Sequence, residues 1–342
     1  MSYSTSGKIQ ASDFNWFVDA NGGNPENFNK LWATGTGTYG YGQAAIPTVT
    51  FGQKFTAANT SGGSGVTQTA ADYGGWAALA DGITKLAAHT GASITATPVP
   101  VPKNKAQYLS QIATNLTALH NARLNATDQG GTFGYTVGTA TSWKNKVDFN
   151  FTVDFGSHDK ARWFFNSGGQ IKVNSDHPTG PNINILVRAL AQSIGEIWIS
   201  GTSSQTLGTT TWAGITKVGG TDPSLVLVDN STYGFSSWTS TPTTLFKQTT
   251  SAGGGPNSYY HGYGTNSFIE VIGWTDGAGK VYVTVRLDEI PLRGNPQVSG
   301  PGITITGTTA TILLKNPSTS YLNNNWGNPT PTVDPVEDTS DN

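Results

Sequence analysis

Between positions 147 and 155 every second residue is large and apolar. Val147, Phe149, Phe151, Val153 and Phe155 alternate with Asp148, Asn150, Thr152 and Asp154. Successive side chains of a strand point to opposite faces, so this alternation fits a strand with one buried face and one wet face. Residues 268–274 and 280–288 read as two more strands, joined by the turn-forming Thr275-Asp276-Gly277-Ala278-Gly279. In the second, Val281, Val283, Val285 and Leu287 share one face; Lys280, Tyr282, Thr284, Arg286 and Asp288 share the other. The C-terminal half is therefore built on antiparallel strands with one covered face.

A denser signal follows the first strand. Arg162-Trp163-Phe164-Phe165-Asn166-Ser167-Gly168-Gly169-Gln170-Ile171 sets three consecutive aromatics before a Ser-Gly-Gly turn. On a strand, such aromatics need cover on both faces, and the turn predicts a hairpin of 163–165 against 170–173. Pro181 then opens a helix carrying Ile183, Leu186, Val187, Leu190 and Ile194. Gly195 ends it, and 196–200 is a strand. Further strands are expected at 209–218, 225–228 and 244–249, with a last hairpin of 303–306 against 310–314.

The N-terminal part is helical. Ala11-Ser12-Asp13 caps a short helix carrying Phe14, Phe17 and Val18, and Asn21-Gly22-Gly23-Asn24-Pro25 interrupts it. Phe28, Leu31 and Trp32 mark a second, before the glycine-rich Gly35-Thr36-Gly37-Thr38-Tyr39-Gly40-Tyr41-Gly42-Gln43. Trp76, Leu79, Ile83, Leu86 and Ala87 recur at helical spacing over 69–89, with Gly91 as the stop. After an extended Thr/Pro/Val spacer at 97–102, Tyr108, Leu109, Ile112, Ala113, Leu116 and Leu119 form the stripe of a helix over 104–125. An antiparallel pair of these helices buries both stripes. The fold class read from these signals is α+β. A helical N-terminal part (1–130) packs on a β-rich antiparallel sheet or sandwich containing one helix (131–318), and a flexible acidic tail follows (319–342).

Composition narrows the function. Charged residues are 12% of the 342, against about 25% in soluble proteins, so Ser, Thr, Asn and Gln must supply the polar surface. Surfaces of that kind suit packing against copies of the same chain, and secreted binding modules share the trait. A net charge of −2 with no basic run argues against nucleic acid. With no cysteine there are no disulfides or thiolate metal sites. No apolar run reaches the roughly 18 residues of a membrane span, and the polar N-terminus lacks the apolar core of a secretory leader.

Catalytic signatures are weak. Gly35-Thr36-Gly37-Thr38-Tyr39-Gly40 matches G-x-G-x-x-G without the strand, helix and acid that give the pattern its chemistry. His89, His120, His158, His177 and His261 show no metal-ligand spacing, although His158-Asp159 and Asp176-His177 flank the aromatic segment. Glu270 with Asp288 or Glu289 has the strand adjacency of a glycosidase pair, and a salt bridge to Arg286 is the structural alternative. Trp143, Trp163, Trp212, Trp238, Trp274 and Trp326 are candidate sugar-stacking rings or core fillers. The expectation is no enzyme, no cofactor and no metal.

Two segments carry a resemblance. Ile9-Gln10-Ala11-Ser12-Asp13-Phe14-Asn15 followed by the 35–43 loop resembles the opening of a group of tailed-bacteriophage virion proteins, which begin I-x-A-S-D-[FY]-N and continue G-T-G-x-x-x-[GY]-Y-G-Q. Residues 162–171 resemble the group's central R-x-F-F-N-x-G-G-[EQ]-I. The resemblance implies a virion structural protein of the tail or baseplate, assembled in the bacterial host cytoplasm with other virion proteins and copies of itself. The alternatives are a glycan- or receptor-binding module of a fibre, whose ligand is a host surface glycan, and a head or neck decoration protein. It implies no catalytic residues; Tyr39, Tyr41, Arg162, Trp163, Phe164, Phe165, Gly168 and Gly169 become structural or interface candidates.

Overall fold

The computed structural model describes residues 11–33, 35–48, 70–96, 105–179, 183–220, 226–229, 232–249, 267–288 and 304–338. The start of the first resembling segment (Ile9, Gln10), the 97–102 spacer, Pro181, His261, Glu289 and Ile303 lie outside them.

Four helices come first: α1 (Ala11–Val18), α2 (Phe28–Trp32), α3 (Ala70–Thr90) and α4 (Lys105–Ala122). Their apolar stripes meet in one core with Phe14, Phe17, Phe28, Leu31, Leu79, Ile83, Leu86, Ile112 and Leu119 buried. Trp76 takes the rings of Phe14 and Phe17 edge-on at 4.9 and 6.4 Å. Asparagines knit the interruption between α1 and α2. Asn24 donates to the Trp16 carbonyl, Asn27 caps α2 by accepting from the Lys30 N–H, and Asn29 donates to the carbonyls of Val18 and Ile46. Gly82 costs α3 some helix propensity, but a Cβ there would stand 2.6 Å from the Phe28 ring. Its absence lets α2 approach α3.

The remainder is β-rich. In chain order it comprises β1 (Gln129–Thr139), β2 (Lys146–Asp154), α5 (His158–Asn166), β3 (Gln170–Asp176), α6 (Ile183–Ser193), β4 (Glu196–Ile199), β5 (Gln205–Leu207), β6 (Thr210–Trp212), β7 (Ile215–Val218), β8 (Val226–Asp229), β9 (Thr243–Thr249), β10 (Phe268–Thr275), β11 (Lys280–Asp288), β12 (Thr309–Pro317), β13 (Pro331–Val333) and β14 (Glu337–Asp338). One sheet has the order β1-β12-β3-β4-β7 and the other β13-β2-β11-β10-β9-β8, with β14 also on β2; β5 and β6 form a separate hairpin. All these pairings are antiparallel. The fold is α+β with a β-rich part.

The inner face of the larger sheet is apolar: Val147, Phe149, Phe151, Val153, Val281, Val283, Val285, Ile269 and Val271 are all buried. The two sheets approach along β1 and β13, where Thr136 Oγ1 donates to the Pro331 carbonyl. There Gly138 leaves room for Phe149, Val333 and Val336. Away from that seam the sheets diverge around helices. α5 touches β11 and β12, and α6 touches β10 and β3, so each helix bridges both sheets.

Four expectations need correction. Residues 163–165 form no hairpin strand; they belong to α5. Ser157 caps it by accepting from the Lys160 N–H, Asp159 sits in its first turn, and Arg162 pairs with Asp159 at 3.0 Å. The β-rich part therefore contains two α-helices where one was expected. Ala310 to Leu314 lie in β12, which enters the smaller sheet between β1 and β3, while Ile305 makes a single bridge to Trp143. Finally, residues 319–338 are no flexible tail. Leu322 and Trp326 are buried, and β13 and β14 pair with the edge of β2. An open strand edge and regularly spaced apolar anchors outweigh the polar composition.

Candidate functional site

The two resembling segments, far apart in sequence, lie against each other. The 35–43 loop turns back on α2: Tyr41, Gly42 and Gln43 donate their N–H groups to the carbonyls of Leu31, Ala33 and Trp32. Gly37, Gly40 and Gly42 have φ of 58, 92 and 71°, a region costly for other residues. These turns bring the carbonyls of Gly37, Tyr39 and Gly40 to one point. Asn166, the last residue of α5 and only 4% exposed, fills it, the two hydrogens of its Nδ2 shared among the three oxygens at 3.3, 3.0 and 3.1 Å. Next to it Trp163 lies flat against the loop backbone: a Cβ on Gly42 would stand 2.4 Å from the indole.

Each of the eight candidates has a place around this lock. The Tyr39 ring is flanked by the Lys30 ammonium at 4.3 Å and the Arg123 guanidinium at 4.5 Å. Tyr41 is buried and donates its hydroxyl to the Arg123 carbonyl at 2.5 Å. Burial raises its pKa, against the opposing Arg123 charge. Phe164 and Phe165 meet edge-on at 5.2 Å, and Phe165 stacks on Phe235 at 4.4 Å. Gly168, with φ of 97°, ends α5, and a Cβ on Gly169 would sit 2.5 Å from the Phe164 ring. Arg162 is buried against α5's own Asp159.

Four contributors escaped the sequence reading. Gln43 donates to the carbonyls of Tyr41 and Asn323 and accepts from the Asn323 N–H. Asn325 donates to the Gly42 carbonyl at 2.7 Å. Gln205 donates to the Phe165 carbonyl at 2.8 Å. Asn166 itself stood inside the quoted segment, but its partners are carbonyls of a distant loop. Asn323 and Asn325 were hidden by the polar composition of the C-terminal stretch.

This arrangement joins parts and offers little to a substrate. A phosphate cradle presents N–H groups; this G-x-G-x-x-G loop presents carbonyls, already occupied. The nearby histidines are kept neutral. Burial pushes His89 down to about 4 against the pull of Asp128, and burial likewise lowers His120 despite its 3.2 Å contact with the Asn27 carbonyl.

The other candidates are dispersed. Glu270 is 9% exposed, accepts from Thr244 Oγ1 at 2.5 Å and faces Arg286 at 3.6 Å; Arg286 forks onto Asp148 with two 2.8 Å bonds. Burial raises the Asp288 carboxyl, partly offset by Lys146, Arg286 and Lys247. His158 packs near Phe235, whereas His177 is buried with Nδ1 2.8 Å from Thr308 Oγ1. Among the described residues no three His, Asp or Glu side chains are grouped to hold a metal ion, and no helix is long and apolar enough to cross a membrane. Trp143, Trp238 and Trp326 are buried core rings. Trp163 sits on the loop, Trp212 packs on Trp198, and Trp274 stacks on Tyr282 at 5.1 Å. No family model, curated protein or solved structure matches this chain.

Proposed function

We propose that this chain is a structural component of a tailed-bacteriophage particle, at the tail or baseplate, acting by assembly with other virion proteins and with copies of itself. One observation carries the reading. The segments that resemble virion proteins meet at one place, where the buried Asn166 side chain donates to carbonyls of Gly37, Tyr39 and Gly40. Residues that share a resemblance and serve geometry favour a protein whose task is to hold a shape. The weakly charged surface agrees, because few ions need be desolvated when such surfaces pack together.

Mass spectrometry and immunogold labelling of gradient-purified particles test it, using the phage that encodes the chain. The expected result is a fixed copy number in the particle and label at the tail end. Absence from purified particles sinks the proposal. Label confined to the head replaces tail or baseplate with decoration.

A further inference from the structure

The smaller sheet packs one face on α5 and α6 and turns the other outward. On the outward face Tyr135 and Val137 of β1 stand beside Leu313 and Thr311 of β12. Lys172 and Asn174 of β3 come next, then Trp198 and Glu196 of β4. None of these side chains is buried. Among the described residues four large hydrophobic side chains are exposed, and three of them, Tyr135, Val137 and Val218 of β7, lie on this face. Tyr135 is 68% exposed, and Leu313 directly across from it continues its apolar surface.

The free apolar area is on the β1–β12 side. Trp198 offers no open ring, because Trp212 stands 5.1 Å away and the Lys172 and Lys315 ammoniums lie 5.4 and 5.8 Å from its centre. Charge sits in the middle of the face. Lys172 Nζ is 2.7 Å from Glu196, which also accepts from Trp198 Nε1, yet the Glu196 side chain stays 37% exposed. Its carboxylate therefore keeps lone pairs for a further donor.

We propose that this face packs on the same face of a second copy, about a two-fold axis that runs across the strands between the Tyr135 row and the Val137 row. Such contacts between identical patches are self-complementary. With this axis β1 meets β1, so Tyr135 of each copy covers Val137 of the other, and Leu313 covers Thr311. Lys172 comes opposite Asn174 and beside Glu196 of the other copy, so the two ion pairs alternate in sign around the axis. An axis along β3 instead sets Lys172 on Lys172 and Tyr135 on Thr216, which opposes like charges and separates the apolar groups. One rotation thus matches both charge and apolar surface, and that match points to a second copy as the occupant. At about 16 Å² of sheet per strand residue, the face measures roughly 600 Å² on each copy, and the pair reaches the roughly 1,200 Å² at which specific interfaces begin. The dimer is therefore reversible. This contact rests on the proposed assembly with copies of the chain, but the purified protein tests it apart from any particle.

Sedimentation of the full chain between about 1 and 200 μM tests it, with a monomer–dimer equilibrium of Kd on the order of 10 μM as the expected result. Tyr135→Glu weakens the dimer by about tenfold or more and leaves the melting temperature unchanged, because the ring is exposed. The chain has no cysteine, so one introduced thiol reports the contact. Val137→Cys is joined into a covalent dimer by a short bis-maleimide, and Asn121→Cys, exposed on α4, is not. A chain that stays monomeric throughout that range overturns the proposal and leaves the face to a different virion protein. A dimer that Tyr135→Glu leaves intact, or that links through Asn121→Cys and not Val137→Cys, overturns it too, since either places the contact elsewhere.

Discussion

At the residue scale the molecule turns on Asn166. Its buried carboxamide gathers three carbonyls, that of Gly40 buried and those of Gly37 and Tyr39 partly so. Asn166→Ala leaves the buried Gly40 carbonyl, and the partly buried ones of Gly37 and Tyr39, without their donor, at about 1–3 kcal/mol for an unsatisfied buried group. We expect a loss of about 3 kcal/mol in urea unfolding, and at least as much for Asn166→Asp, whose carboxylate would face carbonyl oxygens. Gly42→Ala attacks the lock from the other side. It forces a side chain into φ of 71° and drives a methyl into the Trp163 indole. The expected cost is about 2 kcal/mol or more, read in the same unfolding curves; an unchanged midpoint would show that the loop yields without strain. Aromatic density and glycine spacing marked both segments in the sequence, but nothing local to either names the other as its partner.

At the element scale, legibility followed how local each cause was. The helical stripes of α3 and α4 and the alternation in β2 and β11 declare themselves within a few residues, and all four elements form as read. α5 did not, because Trp163, Phe164 and Phe165 before two glycines look like a strand entering a turn. The signals that decide it are quieter: Ser157 at the cap, Asp159 in the first turn, and Arg162 three residues on. The glycines stop a helix here. Ser157→Ala removes the cap, and we expect about 1 kcal/mol of destabilisation in a denaturant melt, with less if the Asp159–Arg162 pair holds the first turn alone. The solvent-facing row of the smaller sheet was illegible for a different reason. Tyr135, Lys172 and Trp198 become neighbours only through pairings among strands widely separated in the chain.

At the scale of the whole molecule, pH acts through His89, buried where α3, the 35–43 loop and the lead-in to β1 meet. Its carbonyl accepts from the Thr127 N–H at 2.7 Å, and its ring meets that of Tyr41 edge-on at 5.6 Å. The ring is buried, and Nε2 has no hydrogen-bond partner among the described residues. Folding therefore holds the imidazole neutral, at a pKa of about 4 instead of 6.5. The unfolded chain binds a proton below pH 6.5 that the folded chain refuses until near pH 4, so stability falls as pH drops through that window and levels off below it. The full shift amounts to about 3 kcal/mol. His120, also lowered by burial, acts in the same direction. Carboxylates titrate in the lower part of this range as well, so the test is a difference. Unfolding free energies of the native chain and of His89→Phe, measured from pH 7 to pH 4, should diverge progressively as pH falls, with the variant losing less. Parallel curves would mean that the ring is hydrated or that the helical part opens locally before the proton arrives.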